Sequence, residues 1–177
     1  MLRTQAFIVA AVVAAAVPMG GARAQQPRAQ EADELVQRAQ ALQGDVAAYT
    51  VAANLYEQSA ALRSPGDARA VEALVTAGRL FNYAGEWAHA LAAMEAGAAR
   101  ALKDGDVATA ADAYADAAYI AASQHDSRAV AMARKVVELA DAWVPEERNA
   151  ILHRLGPRVV AALRDQPAEL MVLASAR

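Results

Sequence analysis

Three histidines carry the most versatile side chains in this chain of 177 residues. None of them lies three or four positions from another, and no HExxH pattern joins them. A local zinc site needs such spacing, because two of its ligands must project from one face of a helix. We therefore interpret the histidines as surface groups, and a metal-binding or catalytic site assembled from scattered histidines and carboxylates is the alternative. They are His89, His125 and His153.

Two carboxylates, Asp112 and Asp116, stand one helical turn apart. Such a pair can act as general acid and general base when its surroundings drive the two pKa values apart. No histidine or arginine adjoins the pair in the sequence, so we interpret these aspartates as part of a solvated helix face.

The segment DGDVATAADAYA, residues 104–115, begins like a calcium-binding loop. It lacks the later oxygen ligands and the glutamate that such a loop carries at its twelfth position, so we interpret Asp104 and Asp106 as turn and capping residues. The chain has no nucleophile elbow, phosphate-binding loop or dinucleotide fingerprint, and it has no cysteine for thiol chemistry or haem attachment. These observations predict a protein that is not an enzyme and uses no cofactor or metal.

The N-terminal segment, residues 1–24, has the order of parts of a secretory signal peptide. Arg3 precedes an apolar run over residues 6–17, and Ala22-Arg23-Ala24 is a small-residue cleavage signal. The run is shorter than the roughly 18 apolar residues that a membrane span needs, so we predict no stable membrane insertion after cleavage. The prediction is an exported protein, periplasmic or secreted, and a retained anchor is the alternative.

The composition indicates the fold class and argues against one class of partner. Without Arg3 and Arg23, 15 basic residues (17 − 2) face 20 acidic ones, a net charge of −5. This acidic balance and the scattered arginines argue against nucleic-acid binding. Alanine makes up more than a quarter of the chain, and the alternating valine, isoleucine and threonine typical of strands are missing. We predict an all-α fold held by packing alone, since no disulfide can form.

Five similar turns recur along the chain: QGDVA, PGDAR, AGEWA, DGDVA and QHDSR. Their central residues, Gly44, Gly66, Gly85, Gly105 and His125, are 22, 19, 20 and 20 residues apart. Glycine suits the left-handed position that ends a helix, and the acidic residue that follows can cap the next helix. Apolar residues follow helical spacing between the turns, and Val144-Pro145 marks a further boundary. We predict six to eight helices that fold as antiparallel hairpins.

Residues 71–104 resemble a tetratricopeptide repeat, a pair of helices with small and aromatic residues at set places around a glycine turn. The matching residues are Leu74, Gly78, Phe81, Gly85, Trp87, Ala90, Met94 and Gly97. A looser copy over residues 110–143 matches at Ala113, Ala117, Ile120, Ala129, Ala133 and Val136. The period of this chain is about 40 residues, whereas that of the repeat family is roughly 34 residues. The chain also lacks the proline that usually closes the repeat, here after Leu102.

The resemblance implies a short TPR-like α-solenoid whose first helices line a groove for another polypeptide. Its groove residues in the first copy would be Glu72, Thr76, Arg79, Asn82 and Tyr83. Among these, Arg79 and Asn82 beside Tyr83 could bind a carboxylate or a peptide backbone. The alternative is that Arg79 and Asn82 form the solvent-exposed face of an amphipathic helix. In the second copy the matching positions are Ala111, Tyr114, Ala118 and Ala121, although we expect Tyr114 to lie in the core.

The predicted organisation is a signal peptide over residues 1–24, a flexible segment over 25–30, a helical-repeat domain over 31–143 and capping helices over 144–177. In the last region, Gly156-Pro157 is expected to stop a helix. The apolar cluster at residues 170–173 caps the stack in the interpretation we favour, and docking onto a partner or a second copy is the alternative.

The predicted function is protein–protein interaction through the helical groove, with no catalysis and no bound nucleic acid. Self-association stays open, as do two other classes of function. These are a metal-binding or catalytic helical bundle, and a purely structural subunit of an envelope assembly.

Overall fold

The computed structural model describes residues 20–141 and 145–164. This part of the chain is helical and contains no strand, which confirms the predicted all-α class. Its seven α-helices are α1 (Gly20–Leu42), α2 (Tyr49–Leu62), α3 (Ala68–Tyr83), α4 (Trp87–Lys103), α5 (Val107–Ser123), α6 (Arg128–Asp141) and α7 (Pro145–Ala162). A single 3-10 turn, Val46–Ala48, precedes α2. Among the described helices, none has the length and apolar content that crossing a membrane requires.

Each helix packs against the next one along the chain, and α7 also packs against α5. Alanines line most of these contacts, so that the helix backbones approach closely. Gly78 permits the closest approach between α3 and α4, because a Cβ there would lie 2.8 Å from Met94 Cγ and 3.0 Å from the Ala90 carbonyl oxygen. Larger side chains fill the spaces beside the alanines; Phe81, Leu91, Met94, Leu155 and Leu163 are fully buried among them.

Three corners, after α3, α4 and α5, share one backbone geometry. Gly85, Gly105 and His125 occupy the left-handed region, with φ of 79°, 81° and 54°. At the second corner the Asp106 N–H donates to the Ala101 carbonyl (2.9 Å) and the Gly105 N–H to the Leu102 carbonyl (3.1 Å). This pair of bonds is the Schellman motif, and the other two corners repeat it. The predicted glycine turns are confirmed at these positions.

The acidic residue of each corner begins the next helix. The carboxylates of Asp45, Asp67, Asp106 and Asp126 each accept a backbone N–H from the first turn that follows, as predicted. Glu86 makes no such bond; its carboxylate accepts from the Thr50 hydroxyl and lies against His89 instead. In the last three corners the acidic residue also donates the N–H that closes the preceding helix, so a single residue serves two helices.

The first two turns differ from this pattern. Gly66 has φ of 81° but follows Pro65, and the Asp67 N–H donates to the Ser64 carbonyl (3.2 Å). Proline followed by a glycine with positive φ is typical of a type II turn, which here lies beyond the end of α2. Gly44 does not occupy the left-handed region, so the predicted helix-ending role does not apply to it.

Two predicted boundaries need correction. Residues 25–30, predicted as a flexible segment, belong to α1, which begins at Gly20 and contains Pro27; the other residues of the segment are glutamine, arginine and alanine, which favour a helix. Gly156-Pro157 does not stop α7, which continues to Ala162. A proline inside a helix costs about 3 kcal/mol. Burial of Leu155, Val159 and Leu163 on one face offsets that cost, at about 1.5–3 kcal/mol for each side chain.

The boundary at Val144-Pro145 agrees with the prediction, since α7 starts at Pro145. Residues 1–19 of the predicted signal peptide and residues 165–177 of the predicted cap, including the apolar cluster, lie outside the described residues.

Candidate functional site

The five predicted groove residues all lie on α3, yet their side chains serve three different regions. Glu72 and Thr76 line a cavity shared with α1 and α2. Arg79 reaches across to α5, where it meets Asp116. Asn82 is half-buried, and Tyr83 is exposed at the corner between α3 and α4. The five side chains predicted to form one groove therefore lie in different places.

The cavity between α1, α2 and α3 has a volume of about 220 Å³. We call it the α1–α3 cavity. Its wall carries charged, hydroxyl and amide groups as well as two apolar side chains. The lining residues are Asp33, Val36, Gln40, Tyr56, Arg63, Arg69, Glu72, Ala73 and Thr76.

Arg63 is the buried charge beside this cavity, with only 2% of its side chain exposed. Its Nη2 donates to Asp33 Oδ1 (2.7 Å) and its Nη1 to Asp67 Oδ2 (3.4 Å). Arg69 donates through Nε and Nη2 to the two oxygens of Asp67, at 3.0 and 2.9 Å, and lies 3.3 Å from Asp33. The hydrogen bond from Arg69 holds the pKa of Asp67 below its usual value. Two arginines and two aspartates thus neutralise each other.

Several groups at the α1–α3 cavity are not satisfied by the rest of the described chain. Glu72 and Thr76 take part in no hydrogen bond or ion pair there. The Nε of Arg63 is buried and has no partner among the described groups. Tyr56 accepts from Gln43 Nε2 (2.8 Å), and burial, with a smaller contribution from Glu72, raises the pKa of its hydroxyl. That hydroxyl therefore stays protonated at neutral pH.

An ion-pair network connects α3, α5 and α7. Arg79 donates to Asp116 Oδ2 through Nη2 (2.9 Å) and Nε (3.2 Å). Arg158 of α7 donates to Asp116 Oδ1 and also to Asp112 Oδ1 (2.9 Å). Arg154 completes the network, 2.8 Å from Asp112. Burial opposes the charge on Arg158, but its bonds to the two aspartates outweigh this effect and raise its pKa.

This network corrects the interpretation of Asp112 and Asp116 as a solvated face. Only 16% of the Asp116 side chain is exposed, and each carboxylate has two arginine partners. Arginine side chains hold the oxygens of both carboxylates, so we interpret the pair as part of an ion-pair network between helices. The network also engages Arg79, whose guanidinium the sequence predicts as a binding group for a ligand's carboxylate.

The predicted groove positions of the second copy are wrong for a groove. Ala111, Ala118 and Ala121 are buried, and Tyr114 is half-buried against the core. Gly85 and His125 occupy equivalent corners. Counted back from these corners, the positions that correspond to Glu72 and Thr76 are Asp112 and Asp116. Ala111, Ala118 and Ala121 each lie one residue before a position that this count gives, and Tyr114 lies two residues before one.

The corner between α3 and α4 presents aromatic side chains to solvent. Tyr83 is 66% exposed and Trp87 45%, and the ring of Tyr83 lies 6.0 Å from that of Tyr49. Glu86 accepts the Thr50 hydroxyl and lies 3.0 Å from His89 Nδ1, which lowers the pKa of its carboxyl. These contacts tie α2 to the corner, and they account for Glu86 without a catalytic role.

The three histidines lie in separate places. His89 contacts Glu86 and the ring of Phe81, at a centroid distance of 5.3 Å. His125 forms a corner and lines a cavity of about 470 Å³ with Tyr119 and Arg164, while His153 is exposed on α7. In the described part of the chain, no group of three or more histidines and carboxylates is placed to hold a metal ion.

Comparison with protein-family models, with curated proteins and with solved structures finds no match to this chain.

Proposed function

We propose that this chain is an exported, non-enzymatic protein that holds another polypeptide on the face formed by its odd-numbered helices. We call this the odd-helix face; its described polar residues include Asp33, Glu72, Thr76, Asp112, Asp116 and Arg158. The helices would form a short α-solenoid of tetratricopeptide-like hairpins. The network from Arg79 through Asp116 to Arg158 supports this arrangement, because it connects alternate helices of the chain side by side.

The observation that carries the proposal is the α1–α3 cavity on that face. Elsewhere on the face, between α3 and α7, aspartates and arginines satisfy one another. At the cavity, the exposed Glu72 and the half-buried Thr76 have no side-chain hydrogen-bond or ion-pair partner in the described chain. Polar groups that converge around a concavity without satisfying one another are typical of a binding site.

Site-specific photo-cross-linking tests the proposal. A photoreactive amino acid at Thr76 would lie on the odd-helix face, and the same amino acid at Ala92 would be exposed on α4, outside the α1–α3 cavity. In intact cells of the source organism we expect one polypeptide to be captured from position 76 and not from position 92. Purified partner and protein should then reproduce the complex. Equal capture from both positions, or none from position 76, would contradict the proposed face.

A structural subunit of an envelope assembly is the second candidate, favoured by the exposed Tyr83 and Trp87. Tyrosine and tryptophan are enriched in protein interfaces. Sedimentation of the purified protein against its Tyr83→Ala/Trp87→Ala variant distinguishes this candidate. A self-association that the double variant abolishes would support it, and a monomer at all concentrations would count against assembly from copies of this chain.

A further inference from the structure

We propose that the α1–α3 cavity takes a basic side chain, lysine or arginine, of the bound polypeptide. This inference rests on the proposed function and adds the chemistry of the ligand. It is inferred from the charges, the hydrogen-bonding groups and the apolar surface of the cavity.

The cavity lining carries two arginines and two carboxylates, and a third carboxylate, that of Asp67, pairs with the arginines from outside the lining. The positive charges of Arg63 and Arg69 are matched by Asp33 and Asp67, which lie at 2.7–3.4 Å from them. Glu72 then remains as a carboxylate with no ion-pair partner in the described chain. A ligand ammonium or guanidinium group would provide that partner, whereas a ligand carboxylate would face Asp33 and Glu72 across a small space.

The remaining groups fit the other parts of a basic residue. The oxygen atoms of Thr76 and Gln40 can accept from a cationic head, while Val36 and Ala73 offer apolar contact to its alkyl stem. The protonated Tyr56 hydroxyl is a donor in the cavity lining, and a peptide carbonyl is an acceptor of the kind it needs. A lysine or arginine within a peptide carries the cation, the stem and the carbonyl together.

Arg79 argues against an acidic ligand at the neighbouring position on α3. Both of its nitrogen atoms that face α5 already donate to Asp116. A carboxylate ligand would have to displace Asp116, which Arg158 also holds. Among the carboxylates named above for the odd-helix face, Glu72 is the one without an ion-pair partner in the described chain.

Titration of the purified protein with short blocked peptides, followed by NMR, tests this inference. The probes are acetyl-Ala-Lys-Ala-amide, acetyl-Ala-Arg-Ala-amide, and the same peptide with glutamine or glutamate at the centre. We expect the lysine and arginine probes to bind more tightly and to shift the signals of Glu72, Thr76 and Tyr56. Equal binding of all four, tighter binding of the glutamate probe, or no binding would overturn the inference.

A Glu72→Gln variant tests the position, with Glu57→Gln as the matched control. Glu57 lies on α2 outside the cavity lining, and its substitution changes the net charge equally. We expect about fivefold weaker binding of the lysine probe in the first variant and no change in the second. Thr76→Val, which keeps the shape of the side chain, should also weaken binding. Unchanged binding in Glu72→Gln would overturn the assignment of the cavity.

One further probe separates a polypeptide from a small diffusible amine, which shares the ammonium chemistry. If 1,4-diaminobutane binds as tightly as the lysine peptide, the cavity recognises an amine alone, and the peptide part of the inference is wrong. The outcome is independent of the cross-linking experiment. Capture at position 76 without probe binding would leave the proposed function in place and reject only this inference.

Discussion

Gly78 shows how little space separates α3 from α4. We expect Gly78→Ala to destabilise the protein by about 1–3 kcal/mol, because the added methyl group would lie 2.8 Å from Met94 and 3.0 Å from a backbone oxygen. Gly44→Ala is the matched control, since nothing lies within 4 Å of its added Cβ and its φ is not positive. Urea unfolding measures both variants. A Gly78→Ala protein as stable as Gly44→Ala would refute the close helix contact.

His125 occupies a backbone conformation that the other two corners assign to glycine. A side chain in the left-handed region costs roughly 1 kcal/mol, so we expect His125→Gly to raise the free energy of unfolding by about 0.5–1 kcal/mol. The reciprocal change, Gly105→Ala, should lower it by a similar amount, because φ is 81° and no neighbouring atom interferes. Thermal unfolding of both variants provides the measurement, and shifts of the same sign would contradict the shared geometry.

At the scale of the helices, the capping aspartates predict a loss of stability in acid. The side-chain hydrogen bond from Arg128 lowers the pKa of Asp126 from 3.8 to about 2, and the pKa values of Asp67 and Asp106 are lowered too. Because folding favours the ionised form, this contribution is complete above about pH 4 and is lost as the pH falls towards 2.

Thermal unfolding between pH 5 and pH 2 measures this effect. Asp126→Asn should reduce the pH dependence by a few tenths of a kcal/mol, since asparagine still caps the helix but does not titrate in this range. An unchanged pH dependence in the variant would show that Asp126 titrates alike in the folded and unfolded states.

The ion pairs between α5 and α7 should matter more than those on open surface. Asp116→Asn removes the charged acceptor of Arg79 and one of the two charged acceptors of Arg158, at a carboxylate that is mostly buried, and we expect a loss of about 1–2 kcal/mol. Glu138→Gln removes an exposed pair with Lys135 and should leave the free energy of unfolding almost unchanged. Hydrogen exchange should show weaker protection of α7 in the first variant alone.

Sequence reasoning succeeded where the structure depends on nearby residues. Each corner is made by hydrogen bonds that span at most five positions, such as that from Asp106 to Ala101, so glycine and aspartate were sufficient to predict it. Arg79 and Asp116 are separated by 37 positions, and their contact depends on how α3 and α5 are aligned. The sequence does not decide this alignment, because alanine occupies both 117 and 118. Either alanine can be matched to Gly78 when the second copy is aligned with the first.

The same limit applies to the candidate site. The sequence predicts Glu72 and Thr76 as groove residues, but Asp33, Tyr56 and Arg63 come from α1, α2 and the residue after α2, where the repeat signal is weak. Pro157 misled the prediction of α7 for a related reason: its local cost was visible in the sequence, whereas the burial of Leu155 and Val159 against other helices was not.

The whole molecule should be longer than a globule of equal size if its hairpins stack in one direction. Without residues 1–24 the chain has a length of 153 (177 − 24), for which a compact domain has a radius of gyration of roughly 15 Å. Small-angle scattering should give a clearly larger value and an asymmetric distance distribution. A radius no larger than that of the compact domain would indicate a closed bundle without an extended groove.

The corners also determine how such a chain can change in length. Each one is closed by its own few residues, so a segment running from one capping acid to the next is a module that can be duplicated or removed without redesigning its ends. One added module would turn every later helix to the opposite side, whereas two would restore the order. Lengthening by pairs would therefore extend the odd-helix face and keep the alternation of the helices.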